Sequence, residues 1–424
     1  LSLSHTHTHT HTHTHTHTLF DQKTKQINKQ TNKQIKDFDS NYGHSGWIVS
    51  FFPATLQFLS FFTGLACYAW GPRVVVAVGA VSLAASYLAT SFVTHDLGLL
   101  YLTYGVLAGL GGSCLTVGGI SAVGTRFKER RNLAMGIVTA GSGIGSLALA
   151  PAFHAVASRY GWRNCFRGAA ALSLIMNGLA ALALAPKPGA PKKVRAPFRL
   201  NYLRDPVMLT ILCGMPFMYY GYWTFNVYLA PFAEHVGLSA GEAAWVVSCF
   251  GIVNTLGRVL FGRLLDKKLM TAPVMYAGSV LARGVCTVLL GLVTPSYKWA
   301  VWVITVANAL LAAGGLMLPN VAVACFTPDM IPIVMGSAYM MASPGSILGA
   351  PMAGKLIAQI GYRGSLGLSG GCLVLGAAIL ALVPWAAKRP RVARTGETDP
   401  LLPRTDPAMS SINSEPNSNH IPQR

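Results

Sequence analysis

The run GEAAWVVSCFGIVNTLGRVLFGRLLDKK, residues 241–268, decides the fold. A bilayer core of about 30 Å needs about 20 predominantly apolar residues in one helix. Residues 241–264 meet that length, and a short basic turn follows them. Arg258 lies well inside the run, Asn254 one turn before it and Phe250 one turn further back. At four-residue spacing these side chains share one helix face. The stretch reads as a membrane-spanning helix that carries a cation.

Composition extends this reading to the whole chain. Of 424 residues, 52% are hydrophobic and 11% charged, and mean hydropathy is +0.44. Soluble domains carry about a quarter charged residues, so this chain lacks the charge to cover a water-facing surface. The formal net charge of +19 is gathered in loops and tails between apolar runs, the pattern of positive-inside topology. No soluble basic face exists, so nucleic acid is excluded as a partner. The eight Cys are scattered singly, without a CxxC pair, and read as small membrane hydrophobes, with no metal site and no disulfide framework.

Working outward, ten further runs have spanning length: 46–69, 73–93, 97–122, 133–156, 165–185, 207–232, 272–293, 298–321, 331–358 and 365–386. Alternate loops and the C-terminal tail hold eighteen Lys or Arg: Arg73; Arg126, Lys128, Arg130 and Arg131; Lys187, Lys192, Lys193, Arg195, Arg199 and Arg204; Arg263, Lys267 and Lys268; Lys388, Arg389, Arg391 and Arg394. The opposite loops hold five: Arg159, Arg163, Arg167, Lys298 and Arg363. The first set is therefore expected to be cytoplasmic.

The expected organisation is 1–42 translated non-coding or low-complexity sequence, 43–186 an N-terminal bundle of five helices and 187–206 a basic cytoplasmic linker. A C-terminal six-helix bundle follows over 207–387, then a disordered cytoplasmic tail over 388–424. The first segment opens LSLSHTHTHTHTHTHTHTLF, without Met, as an in-frame dinucleotide repeat would translate. It is set aside from the fold argument. GLACYAWGPR at 64–73 and FGRLLDKK at 261–268 are equivalent Gly-containing helix ends with basic turns, which implies a parallel internal repeat. On that alignment the helix 207–232 has no counterpart, and a 6+6 parent lacking its first helix here is expected. Such a chain is expected not to transport, although its parent does.

Three stretches then carry a family resemblance. They are GVLAGLGGS at 105–113 leading into RFKERRNLAMGIVTAGSGIG at 126–145 and YGWRNCF at 160–166; YLAPFAEHVGLSAGEAAWVVSCFGIVNTLGRVLFG at 228–262; and GSILGAPMAGKLIAQIGYRGS at 345–365. Together, in order and correctly separated, they resemble the monocarboxylate transporter family (solute carrier family 16) of the major facilitator superfamily, from Gly46 to about Pro384. The resemblance implies an all-α polytopic 6+6 fold and alternating-access carriage of small carboxylates, often with a proton. For some members it also implies a single-span immunoglobulin-domain chaperone. Two departures stand out. The family's first-helix signature, with its substrate-linked Lys, has no counterpart, and the family's helix-eight acid is Asn254 here while its Arg is kept as Arg258.

Read on their own, the residues give candidate substrate contacts. A charge at membrane depth costs a few to more than ten kcal/mol unless it faces a cavity or partner. Arg258 is either a bidentate carboxylate ligand or a structural Arg bonded to helix carbonyls. Arg283 is a second anion contact, a packing partner or a snorkelling side chain. Tyr222 and Asn226, at helical spacing with Tyr219, either line the cavity or pack; Asn308 is a weaker polar candidate. Gly109, Gly111, Gly112, Gly141, Gly143 and Gly145 read as close helix contacts, Lys355 as an interfacial side chain and lone His154 as a packing residue. No Asp or Glu lies securely within a span: Asp96, Glu234, Glu242 and Asp266 stand at ends. Transport is thus expected to be facilitated or weakly proton-coupled. No nucleophile–base pair, metal cluster or cofactor loop is present, so no enzyme and no cofactor is expected.

Alternatives left open are a carrier of amphipathic or zwitterionic solutes (aromatic amino acids, iodinated hormones, creatine-like compounds), a non-transporting membrane protein, or an inactive fragment. A plasma-membrane location is expected, with ETDPLL at 397–402 fitting an acidic dileucine address to endosomes or lysosomes.

Overall fold

The computed structural model describes residues 42–93, 96–127, 129–184 and 203–388. The His-Thr segment, most of the linker and the tail with ETDPLL lie outside these, as does the His154 side chain. Two compact units divide the chain, Leu1–Ile48 and Val49–Arg424, and the packing below belongs to the second.

Among the described residues the fold is helical, without strands: α1 (Tyr42–Trp70), α2 (Pro72–Thr90), α3 (Leu97–Leu100), a π-helical turn (Tyr101–Leu107), α4 (Ala108–Arg126), α5 (Arg131–Tyr160) and α6 (Trp162–Ala183). Then come α7 (Pro206–His235), α8 (Ala240–Asp266), α9 (Ala272–Gly291), α10 (Lys298–Gly315), α11 (Leu318–Cys325), α12 (Ile331–Leu380) and α13 (Val383–Lys388). Every expected span has its helix, most of them running a few residues into the basic loops.

Two boundaries differ from expectation. The runs 331–358 and 365–386 form nearly continuous helix, interrupted inside α12 at Gly361 with φ 71 and ψ 177. A side chain there would be strained, so glycine places the reversal. The run 298–321 breaks instead between Gly315 and Leu318, where Pro319 begins a new helix. Nine helical runs among the described residues are long and apolar enough to cross a membrane. Ile331–Ala386 counts among them once although it holds two expected spans, and Pro206–His235, rich in Tyr and Pro, is the remaining one.

Local chemistry starts these helices where they start. Asp205 accepts the amide of Val207 at 2.8 Å with Pro206 behind it. Ser239 and Glu242 form a capping box on α8. Within the spans, hydroxyls bond back to carbonyls of their own helix, as Thr55 does to Phe51 and Thr90 to Ser86. Such bonding is required where no water is available. Outward faces stay apolar, with Val81, Leu88, Ile175, Leu179, Leu256 and Val303 exposed.

Among the described residues, two pairs of helices from the two expected bundles come close enough to need bare backbone or side-chain hydrogen bonds. The helix α4 also touches the start of α12, at Gly124 and Ile331. In α1–α12, Ser346 donates to Gln57 Oε1 at 2.6 Å and Ser343 to the Ala54 carbonyl at 2.9 Å. A Cβ on Gly64 would stand 2.5 Å from the Pro332 carbonyl oxygen. In α5–α8, a Cβ on Gly136 would stand 2.5 Å from the Arg258 carbonyl oxygen, and one on Gly262 2.7 Å from that of Asn132. Glycine is required on both sides of α5–α8, because only bare backbone approaches this closely.

That contact is closed by a cap from the other helix. The N-cap residue of α5, Arg130, has φ 47 and no capping side chain. Asp266, the last residue of α8, supplies the missing acceptor. Its Oδ1 takes the Asn132 amide at 3.2 Å and the Asn132 side-chain N–H at 2.9 Å, and its Oδ2 takes the Leu133 amide at 3.0 Å. A carboxylate at a helix N-terminus satisfies orphan donors and the helix dipole together. Asp266→Ala is expected to weaken this contact by about 1–3 kcal/mol. Amides 132 and 133 should then exchange faster by about tenfold or more, measured by hydrogen exchange on the full chain; unchanged protection would refute the cap.

Candidate functional site

The stripe expected on α8 forms and is buried: Phe250 and Arg258 are 8% exposed and Asn254 5%. Arg258 stands eight positions before Asp266, which sets it about 12 Å in from that helix end. Asn254 is oriented from both sides, giving Nδ2–H to the Ala309 carbonyl at 3.1 Å and accepting Arg258 Nε–H on Oδ1 at 3.0 Å. The guanidinium then reaches across to α5, where Nη1 donates to Ser142 Oγ at 2.6 Å and to the Thr139 carbonyl. Of the two readings offered for Arg258, the carbonyl-bonded one is realised in this conformation, and its partner lies on the other expected bundle.

Arg283 is 2% exposed, which removes the snorkelling reading. Its Nε donates to Asn308 Oδ1 at 3.2 Å. Its Cζ stands over the rings of Tyr222 at 4.8 Å and Phe225 at 5.6 Å. Asn308, the weaker candidate, is thus a direct partner. Tyr222 joins the site beside Tyr219, ring centroids 5.9 Å apart, and Tyr339 meets Tyr219 edge-on at 6.4 Å. Tyr219, Tyr222 and Tyr339 all lie within electrostatic reach of Arg258.

Phe250 stands behind this group, against Phe225 at 5.4 Å. Asn226 stays apart, its amide folded onto the Tyr222 carbonyl at 2.7 Å. Lys355 is exposed. Gly109, Gly111, Gly112 and Gly143 make close helix contacts, whereas Gly141 and Gly145 face open space.

Sequence reasoning missed Thr139, Ser142, Tyr339, Phe225 and Asp266. Thr139 immediately precedes AGSG and Ser142 lies within it, in a stretch already singled out for its glycines. Their signal was small hydroxyls in mid-span; the acceptor role needed α8 beside them.

Two oriented arginines, ringed by tyrosines, lie in helices whose interiors hold no acid. That arrangement suits a membrane carrier of solutes with acceptor groups. The chain belongs to the Major Facilitator Superfamily, whose model matches residues 33–229 and 211–416. Within it, the chain is a multi-pass membrane transporter of the monocarboxylate-transporter type. It is 28% identical to monocarboxylate transporter 11 of Homo sapiens, over 82% of this chain and 76% of that one. It is 29% identical to monocarboxylate transporter 13 of Bos taurus, over 82% of each, and 26% identical to monocarboxylate transporter 3 of Rattus norvegicus, over 84% and 74%. These relatives are transporters, not enzymes.

Solved structures share the fold. The E. coli fucose:proton symporter FucP superposes with a TM-score of 0.62 over 84% of this chain and 95% of its own, at 14% identity. The human organic anion transporter MFSD10 (TETRAN) gives 0.57 over 79% and 83%, also at 14%.

Proposed function

We propose that this chain is a secondary transporter that moves small monocarboxylates or related organic anions across a membrane by alternating access, with Arg258 as the anion contact. The observation that carries the reading is the hydrogen bonding of Arg258. In the conformation described, donors of its guanidinium are spent on Thr139 and Ser142 of α5. When α5 and α8 part, those donors need a new acceptor, and a carboxylate matches the guanidinium fork bidentately. Substrate and α5 thus compete for one group, which ties anion occupancy to the α5–α8 contact. A ligand shifts a conformational equilibrium only through such differential contacts.

The tyrosines around Arg258 support a second reading, in which the solute is amphipathic or zwitterionic and its apolar part lies on Tyr219, Tyr222 and Tyr339. The plasma membrane is the location this reading favours, with ETDPLL as the feature that would redirect the chain to endosomes or lysosomes.

The carrier is also proposed to be weakly coupled to protons, since no carboxylate stands inside the spans to titrate. Uptake of radiolabelled lactate by cells expressing the full chain tests both points. Expected is saturable uptake that changes less than about twofold between pH 6 and pH 7.5, because the small-carboxylate substrate is ionised throughout and no span acid titrates. A rise of about fivefold or more toward pH 6 would overturn weak coupling. No uptake of any monocarboxylate, with normal surface expression, would overturn carriage of this substrate class by this chain and favour the zwitterionic-solute or non-transporting readings.

A further inference from the structure

Arg283 is buried more completely than Arg258, and its hydrogen bonding is unfinished. It stands 11 residues into α9 from Ala272, about 16 Å along the helix. Its Nη2 is buried without a hydrogen-bond partner. On the facing helix α10, Thr305 is 1% exposed and its Oγ1 is likewise without a partner. Thr305 precedes Asn308 by three residues and so shares its helix face.

The remaining neighbours hold the guanidinium in place without completing it. Asn308 gives its Nδ2–H to Thr287 Oγ1 at 3.0 Å, which turns its Oδ1 toward Arg283 Nε. Thr287 in turn donates to the Arg283 carbonyl at 2.9 Å. The π faces of Tyr222 and Phe225 offset part of the positive charge, but they supply no conventional acceptor for Nη2. No acid can neutralise it from its own or the facing helix, because no Asp or Glu occurs between Asp266 and Asp329. A buried charge without a counter-charge, with an unmet donor beside it, is strongly disfavoured. An acceptor that carries negative charge, placed between the facing helices, would satisfy these donors.

We infer that Arg283 Nη2 and Thr305 Oγ1, with Asn308 as the positioning residue, form a second anion subsite. It takes one compact anionic group, either a carboxylate of the solute or a free halide ion. The subsite stands whether or not Arg258 binds a carboxylate.

The test uses the full chain, purified in detergent, in halide-free isethionate buffer. Chloride, acetate and malonate are titrated separately while thermal unfolding is followed. A saturable rise in Tm is expected for the unaltered protein and for Arg258→Gln. The Arg283 and Thr305 substitutions are compared in the Arg258→Gln background, so that the first anion contact does not contribute. The apparent affinity should fall by at least about tenfold in Arg283→Gln and severalfold in Thr305→Val. Thr305→Val is nearly isosteric, so it keeps the test decisive should Arg283→Gln fail to fold.

Stabilisation by chloride alone supports the subsite as a free-halide site. Stabilisation by acetate or malonate but not chloride supports it as a site for the solute's own carboxylate, and stabilisation by both supports a site open to either. Absence of saturable stabilisation by all three anions overturns the subsite. So does stabilisation unchanged by both the Arg283 and Thr305 substitutions, or lost in Arg258→Gln while kept in Arg283→Gln alone.

Discussion

Arg258→Gln is expected to lower uptake of a radiolabelled monocarboxylate by about a hundredfold to ten-thousandfold. A hydrogen bond to a charged group contributes about 1.5–3 kcal/mol, and a bidentate pair loses two. Each 1.4 kcal/mol is about tenfold. Gln keeps much of the volume and can still reach Asn254, but it has neither the charge nor the fork. Arg258→Lys restores the charge without the planar pair of donors, so a partial loss, about tenfold, is expected.

The same side chain also bonds α5, so a separate variant must divide the two roles. Ser142→Ala removes an acceptor on α5 while leaving the guanidinium intact. It should retain most uptake and change chiefly the exchange of amides along α5. The measurement is initial rate against concentration, normalised to protein at the surface. Near-normal uptake by Arg258→Gln would remove the anion role and leave Arg258 as a helix-packing group. Loss in Ser142→Ala equal to that in Arg258→Gln would assign the effect to the α5–α8 contact instead.

Gly136→Val should also be damaging, though less so, for a steric reason. A Cβ at this position meets the backbone oxygen of Arg258 at 2.5 Å, and backbone cannot rotate away as a side-chain tip can. The helices must part by about an ångström, and overpacking of this kind costs about 1–3 kcal/mol. That cost falls on the conformation in which α5 and α8 touch, so the population shifts toward the one in which they are apart, by about 5- to 150-fold. The maximal rate should drop severalfold while the protein remains folded, and amides 132 and 133, held by Asp266 in the contact, should exchange faster. Gly141→Ala is the matched control, since a Cβ at Gly141 meets nothing within 4 Å. If both substitutions behave alike, the close approach at Gly136 is not what matters.

Much of this protein could be read along the chain. Span length and hydropathy are properties of consecutive residues, because a bilayer of given thickness imposes a given number of helical residues. All eleven helices were therefore legible, with misjudged ends only at Gly361 and around Pro319. The stripe of Phe250, Asn254 and Arg258 was legible for the same reason, since helical spacing alone puts it on one face.

The partners of that stripe were not legible. Arg258 meets Ser142 across 116 residues, and Asp266 caps amides 133 and 134 positions away. Neither pairing leaves a periodic trace. Tyr222 and Asn226 looked alike in sequence, yet one lies over Arg283 and the other is spent on its own helix. A side chain's depth in the membrane follows from its place in a helix. Which acceptor it finds there depends on how closely two backbones approach, and at Gly136 and Gly262 that distance is set by packing between helices far apart in the chain.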